Sequence, residues 1–174
     1  MSNPKKAKKP ADPKGVFLTA ETFRAGSLVL GKYGMPHLML PMVVCAAFSL
    51  ELLLKCLILI EGHDFGKDHS LESLFSKTTP ESQKTIRASY EVHRAKREAM
   101  YAALKNVPAP KTDFDFVLHA SAKAFEHFRY AYEGIVEEGE GWLANEIHDC
   151  VRERIVELKP DWKNLNSPSV APGK

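Results

Sequence analysis

CAAFSLELLLKCLILIEGH, Cys45 to His63, is the centre of a run that stays almost wholly apolar from Leu38 to Ile60. A helix that long and that apolar could cross a bilayer, which needs about 20 such residues. Glu51 and Lys55, however, sit near its middle. They are i and i+4, adjacent on one side of a helix, with the acid N-terminal to the base in the favourable order. Each charge at a bilayer centre costs about 2.5–3.5 kcal/mol on insertion scales, and no second apolar span exists to shelter them. Pro41 suits the first turn of a helix, which trims the run below a full crossing. The stretch therefore reads as a core helix over 41–61, buried nearly all round, with Glu51 and Lys55 as a narrow structural polar pair, and no membrane is expected.

Composition agrees with that reading. The chain has 174 residues, 44% hydrophobic and 26% charged, the balance of one globular domain able to bury a core. A net charge of +2 is too small to make the whole protein a polyanion binder. The charge is uneven, though: NPKKAKKPADPKG carries five lysines and no large apolar residue. Residues 1–15 read as a flexible basic tail, without the apolar segment that a signal peptide needs. Cys45, Cys56 and Cys150 form no C-x-x-C, so neither a zinc knuckle nor a disulfide framework is indicated, and a reducing cytoplasm is expected.

Periodicity places helices on either side of the central one. Thr19 reads as the N-cap of a first helix with Phe23, Leu28 and Leu30 on its apolar face, ending near Gly31–Gly34. After Gly62 a polar loop leads to a short turn with Leu71, Leu74 and Phe75 inward. Thr79 as cap, Pro80 at the first position and Glu81 at the positive end of the dipole open the next helix. Its stripe runs through Ile86, Tyr90, Met100, Tyr101 and Leu104, with His93 and Arg97 alongside. Thr112 or Asp113 caps a helix to about Glu138, prominent in Phe116, Phe125, Phe128 and Tyr132. The segment WLANEIHDCVRERIVEL is the last helix. With no alternating pattern or hairpin signal, the fold is all-α, an up-and-down bundle of four or five helices over 16–158, followed by a loose tail at 159–174.

Two clusters could carry chemistry. Arg87 and His93 form an R-x5-H spacing suited to RNA cleavage. A histidine moves protons near neutral pH, and an arginine fork stabilises the anionic transition state. Six residues turn a helix by about 600°, so within one chain the two point about 120° apart and lie about 9 Å apart along the axis. A two-fold dimer crossing two such helices could bring both pairs to one cleft. The plainer reading makes Arg87 a surface charge near Glu91 and His93 a half-buried polar group. In the second cluster, Arg129 beside Tyr130 and Tyr132 could hold a phosphate or stack a base, with Glu126 and Glu133 on the same helix. There the plainer reading is an aromatic core and an ordinary Arg129–Glu133 pair. His63 and His69 with Asp64 and Asp68 have metal-ligand chemistry but no rigid element to place them. No metal and no cofactor is expected, and the lysine tail would draw in RNA by counterion release.

SLELLLKCLILIEG, then HSLESLF after a short loop, then FRYAYE on a later helix, resembles the HEPN superfamily of small all-α domains from prokaryotic toxin–antitoxin and defence systems. The resemblance covers roughly residues 20–135, with Glu51 and Lys55 matching the polar seam and His69, Leu71 and Leu74 matching the turn. It implies a homodimer and, in active members, a metal-independent endoribonuclease whose R-x4–6-H motifs from two subunits form one site. Carried over, these are catalytic Arg87 and His93. The chain departs from the family in having Ala88 where a polar residue usually follows the arginine. The motif also often lies nearer Arg129, where RYAYEG has no histidine at the right distance. Non-catalytic members bind RNA, a nucleotide, or an antitoxin or other protein partner. For such a member the substrate-binding residues here are Arg129, Tyr130 and Glu133.

Overall fold

The computed structural model describes residues 11–103, 113–129 and 145–165. Its described residues hold six helices and no strand, an all-α fold. These are α1 (Pro13–Lys32), α2 (Pro36–Ile60), α3 (Leu71–Ser76), α4 (Pro80–Ala103), α5 (Phe114–Arg129) and α6 (Asn145–Leu158), followed by a 3₁₀ turn at Pro160–Trp162. Residues 1–10 of the basic tail and 166–174 of the C-terminal one lie outside the described residues, as do Leu104, Tyr132 and the GEG break.

α1 begins six residues before the expected Thr19 cap. Asp12 caps it, accepting from the amides of Lys14 and Gly15 at 3.1 Å each, with Pro13 at the first helical position. The expected tail of 1–15 therefore ends inside this helix, because a cap and a proline outweigh local lysine content. The expected apolar face also shifts: Phe17, Ala20 and Ser27 are buried, whereas Leu28 is 58% exposed.

α2 likewise starts early, at Pro36, and runs through Pro41. Pro41 has no N–H for the carbonyl of His37, but both residues are exposed in the opening turns, where that carbonyl can face water. The helix stops at a left-handed glycine: Gly62 has φ +81°, its amide donates to Leu59 O, and that of His63 donates to Ile58 O. At 25 residues α2 is long and apolar enough to span a membrane, yet 67% of its most apolar window is buried inside this fold.

Contacts along α1 and α2 run in opposite senses. Cys56 Sγ donates to Pro13 O, Ser49 Oγ to Ala20 O, and Phe23 meets Phe48 edge-on at 4.6 Å. α3 and α5 cover α2 on one side, with Phe114 packed 4.9 Å from Phe75 and 5.4 Å from Tyr90. α6 wedges between α1, α2 and α4, burying Ile147, Cys150, Val151 and Ile155. The 3₁₀ turn then folds back, so Trp162 lies 5.3 Å from Phe17 and is buried. Residues 159–165 are thus part of the domain rather than a loose tail, because Trp162 has apolar area to bury. On α4 the expected stripe holds at Ile86 and Tyr90 but not at Met100, which is 58% exposed. On α5 the buried face is Phe114, Val117 and Leu118, leaving Phe116 at the surface.

Candidate functional site

α4 carries both residues of the R-x5-H spacing. Its start is anchored by Glu61, whose carboxylate accepts from the Thr79 amide (2.8 Å) and hydroxyl (2.7 Å), while Thr79 Oγ1 caps Ser82 N. From there the helix sends Arg87 and His93 to different neighbours. Arg87 does not meet Glu91, which pairs with Arg94 instead. Its two terminal nitrogens donate to both oxygens of Asp115 on α5, at 3.0 and 2.7 Å. Its guanidinium lies 4.4 Å from the Phe114 ring centre and 5.3 Å from that of Phe75. The hydrogen bonds from Arg87 hold the Asp115 carboxyl below the usual carboxylate range.

His93 turns toward α6. Its Nε2 is 3.5 Å from Glu153 Oε1, and the other oxygen of that carboxylate accepts from Ser89 Oγ at 2.7 Å. Cys150, one turn before Glu153, completes a group whose donor atoms all lie within 4.8 Å of one another. Burial pushes the Cys150 thiol up to about 11, and the carboxylates of Glu153, Asp149 and Glu146 add to that. Between the flanks bearing Arg87 and His93, α4 presents Ala88, Val92, Ala95 and Ala99 to the outside, a stripe of small apolar residues one helix-width wide.

The polar seam of α2 is where the sequence placed it. Lys55 Nζ donates to Glu51 Oε1 at 2.6 Å, and both side chains are buried. His69, on the loop before α3, brings its Nδ1 to 2.9 Å from the same oxygen, and Phe65 lies 5.1 Å from the ammonium. Glu51 Oε2 is buried without a hydrogen-bond partner among the described residues. The neighbouring acid, Asp68, is held well below the ordinary carboxylate range by Lys77 at 2.8 Å and by the Ser73 hydroxyl. Of the four loop groups weighed as metal ligands, His69 is thus drawn to Glu51 and Asp68 to Lys77.

A Ser–His–Asp sequence of contacts also occurs at the α1–α2–α6 junction. Ser49 Oγ lies 2.8 Å from His148 Nε2, and His148 Nδ1 lies 3.4 Å from Asp149 Oδ1. The serine hydroxyl donates to Ala20 O at 2.7 Å, so toward the imidazole it stands as an acceptor. That direction is opposite to what a nucleophile needs, and both Ser49 and His148 are fully buried. This trio is a helix-locking network.

Arg129 is the last residue of α5, while its side chain, with Tyr130 and Glu133, lies outside the described residues. Sequence reasoning missed Asp115, Ser89, Cys150 and Glu153. The only available signal was that Cys150 and Glu153 are three apart and share a helix face. No family model, no curated protein and no solved structure matches this chain.

Proposed function

We propose that the chain is a HEPN-like helical module that pairs with a second copy of itself along α4. It acts by binding rather than by catalysis, holding RNA, a nucleotide or a protein partner in a cytoplasmic toxin or defence setting. The observation that carries the choice is the state of Arg87. Both terminal nitrogens are taken by Asp115 and one face lies on Phe114, so its fork is spent on holding α4 to α5. In support of pairing, the exposed Ala88, Val92, Ala95 and Ala99 let a second helix approach closely, with Glu91, Arg94, Lys96 and Glu98 around them. On this reading Arg129, Tyr130 and Glu133 contribute to the binding surface.

One observation favours the ribonuclease instead: His93 is partly open and sits beside a carboxylate able to orient it. Two measurements decide. Light scattering of the full chain should give a dimer, and Ala95→Glu a folded monomer; a monomeric wild type refutes the pairing. Incubating the dimer with RNA in EDTA should leave the RNA intact. Cleavage that falls by about 100-fold or more in both Arg87→Ala and His93→Ala would replace the binding reading with the enzyme.

A further inference from the structure

We propose that His93 on α4, with Cys150 and Glu153 on α6, forms a site for a zinc-class divalent cation. The argument starts from the donor set. Thiolate, imidazole and carboxylate together suit a borderline-soft tetrahedral ion, whereas calcium and magnesium take oxygen ligands. With bonds of about 2.0–2.3 Å, tetrahedral ligand atoms stand about 3.3–3.6 Å apart. His93 Nε2 and Glu153 Oε1 are already 3.5 Å apart, and all three donor atoms lie within 4.8 Å of one another. Closing the set asks the widest pair to shorten from at most 4.8 Å to about 3.6 Å.

Three further features support it. Cys150 and Glu153 are i and i+3 on a buried-to-exposed slope of α6, and His93 faces them from α4, so two rigid helices supply the ligands. Ser89, one turn before His93, donates to Glu153 Oε2 and leaves Oε1 turned toward the imidazole, as supporting hydrogen bonds do at metal sites. Of the carboxylates on this stretch of α6, Glu146 and Asp149 are paired with Arg97 and Arg24, which leaves Glu153 as the one turned to the imidazole and able to take a cation. On binding, the S–H proton leaves to buffer and the sulfur lone pair forms the metal bond. One divalent ion then balances one thiolate and one carboxylate, with neutral imidazole as third ligand and the fourth position open to the solvent side, where His93 and Glu153 are partly exposed.

The test uses the tag-free full chain, stripped with EDTA, dialysed and titrated with cobalt(II). The expected result is one equivalent bound, with a near-ultraviolet thiolate-to-cobalt charge-transfer band that zinc abolishes by displacement. Cys150→Ser removes the band while Cys45→Ser keeps it. His93→Gln and Glu153→Gln, changes at partly exposed positions, weaken binding by at least about 10-fold, the loss typical even of groups that merely orient a ligand. Ser89→Ala, a positioning change, weakens binding by about 10-fold and leaves the shape of the band unaltered. No band in the wild type overturns the proposal. So does a band lost with Cys45→Ser, or unchanged affinity in both His93→Gln and Glu153→Gln. Should Cys150→Ser fail to fold, those two surface variants decide by themselves.

Discussion

Replacing Lys55 by methionine removes the ammonium that Glu51 Oε1 holds at 2.6 Å and leaves a carboxylate only 1% exposed in the middle of α2. The remaining contact is His69 at 2.9 Å, a side chain that is itself 69% exposed, and Oε2 has no donor among the described residues. Breaking one partner of a buried pair costs about 3–5 kcal/mol, and the surviving histidine places the expected loss near the lower end. Against a total stability of about 5–15 kcal/mol that is a large share. In urea, with a slope of about 1–3 kcal/mol per molar, the unfolding midpoint should fall by about 1–3 M. The double variant Glu51→Leu/Lys55→Met removes both charges and should recover most of the loss, since an apolar pair of similar volume satisfies the same space. Equilibrium unfolding of the wild type, both single variants and the double closes the cycle. A Lys55→Met loss below about 1 kcal/mol, the worth of an exposed pair, would mean that the seam is solvated and refute the core assignment of α2.

Arg87→Ala should cost about 1–2 kcal/mol, from an exposed bidentate pair and a cation–π contact on Phe114, and Asp115→Asn about 0.2–1 kcal/mol, from the pair alone; a coupling of zero in the double variant would sink the clamp. Because Arg87 depresses the Asp115 carboxyl, the contribution of the pair is complete above the unfolded carboxylate value of about 3.9 and is lost as pH falls through the lower folded value. Unfolding midpoints at pH 7 and pH 2.5 should therefore show the gap between wild type and Asp115→Asn narrowing in acid. Burial pushes the His148 imidazole down, so the unfolded chain takes up protons first as pH falls below about 6.5, and stability declines there. His148→Asn should flatten the slope between pH 7 and pH 5 in thermal melts. Trp162→Ala should cost about 3–5 kcal/mol by uncovering Phe17, and an unchanged melting temperature would return residues 159–165 to the status of a tail.

Several elements could be read without coordinates because their signals are local. Thr79 followed by Pro80 and Glu81 opened α4 as expected, and Gly62 closed α2, since capping chemistry depends on residues within one turn. The same chemistry was present in Asp12–Pro13 and at Pro36, and was misread for different reasons. Five lysines give the first the composition of a tail, and Pro41 suits a first helical turn, so the helix is expected to begin there, although exposed opening turns also tolerate a proline one turn further in.

What the amino-acid order determined by itself was the all-α class, the i, i+4 pairing of Glu51 with Lys55, and the divergence of Arg87 and His93 around one helix. All three follow from the geometry of a single helix. Which partner each polar group chose was decided only in three dimensions. His69 joins Glu51 across 18 residues, Arg87 finds Asp115 across 28, and Ser89 finds Glu153 across 64. Such pairings depend on how helix faces dock, and docking is driven by burial of apolar area, which has no direction and leaves no short-range trace in the sequence. The meeting of His93 with Cys150 and Glu153 is of that kind: it exists because α6 wedges against α4.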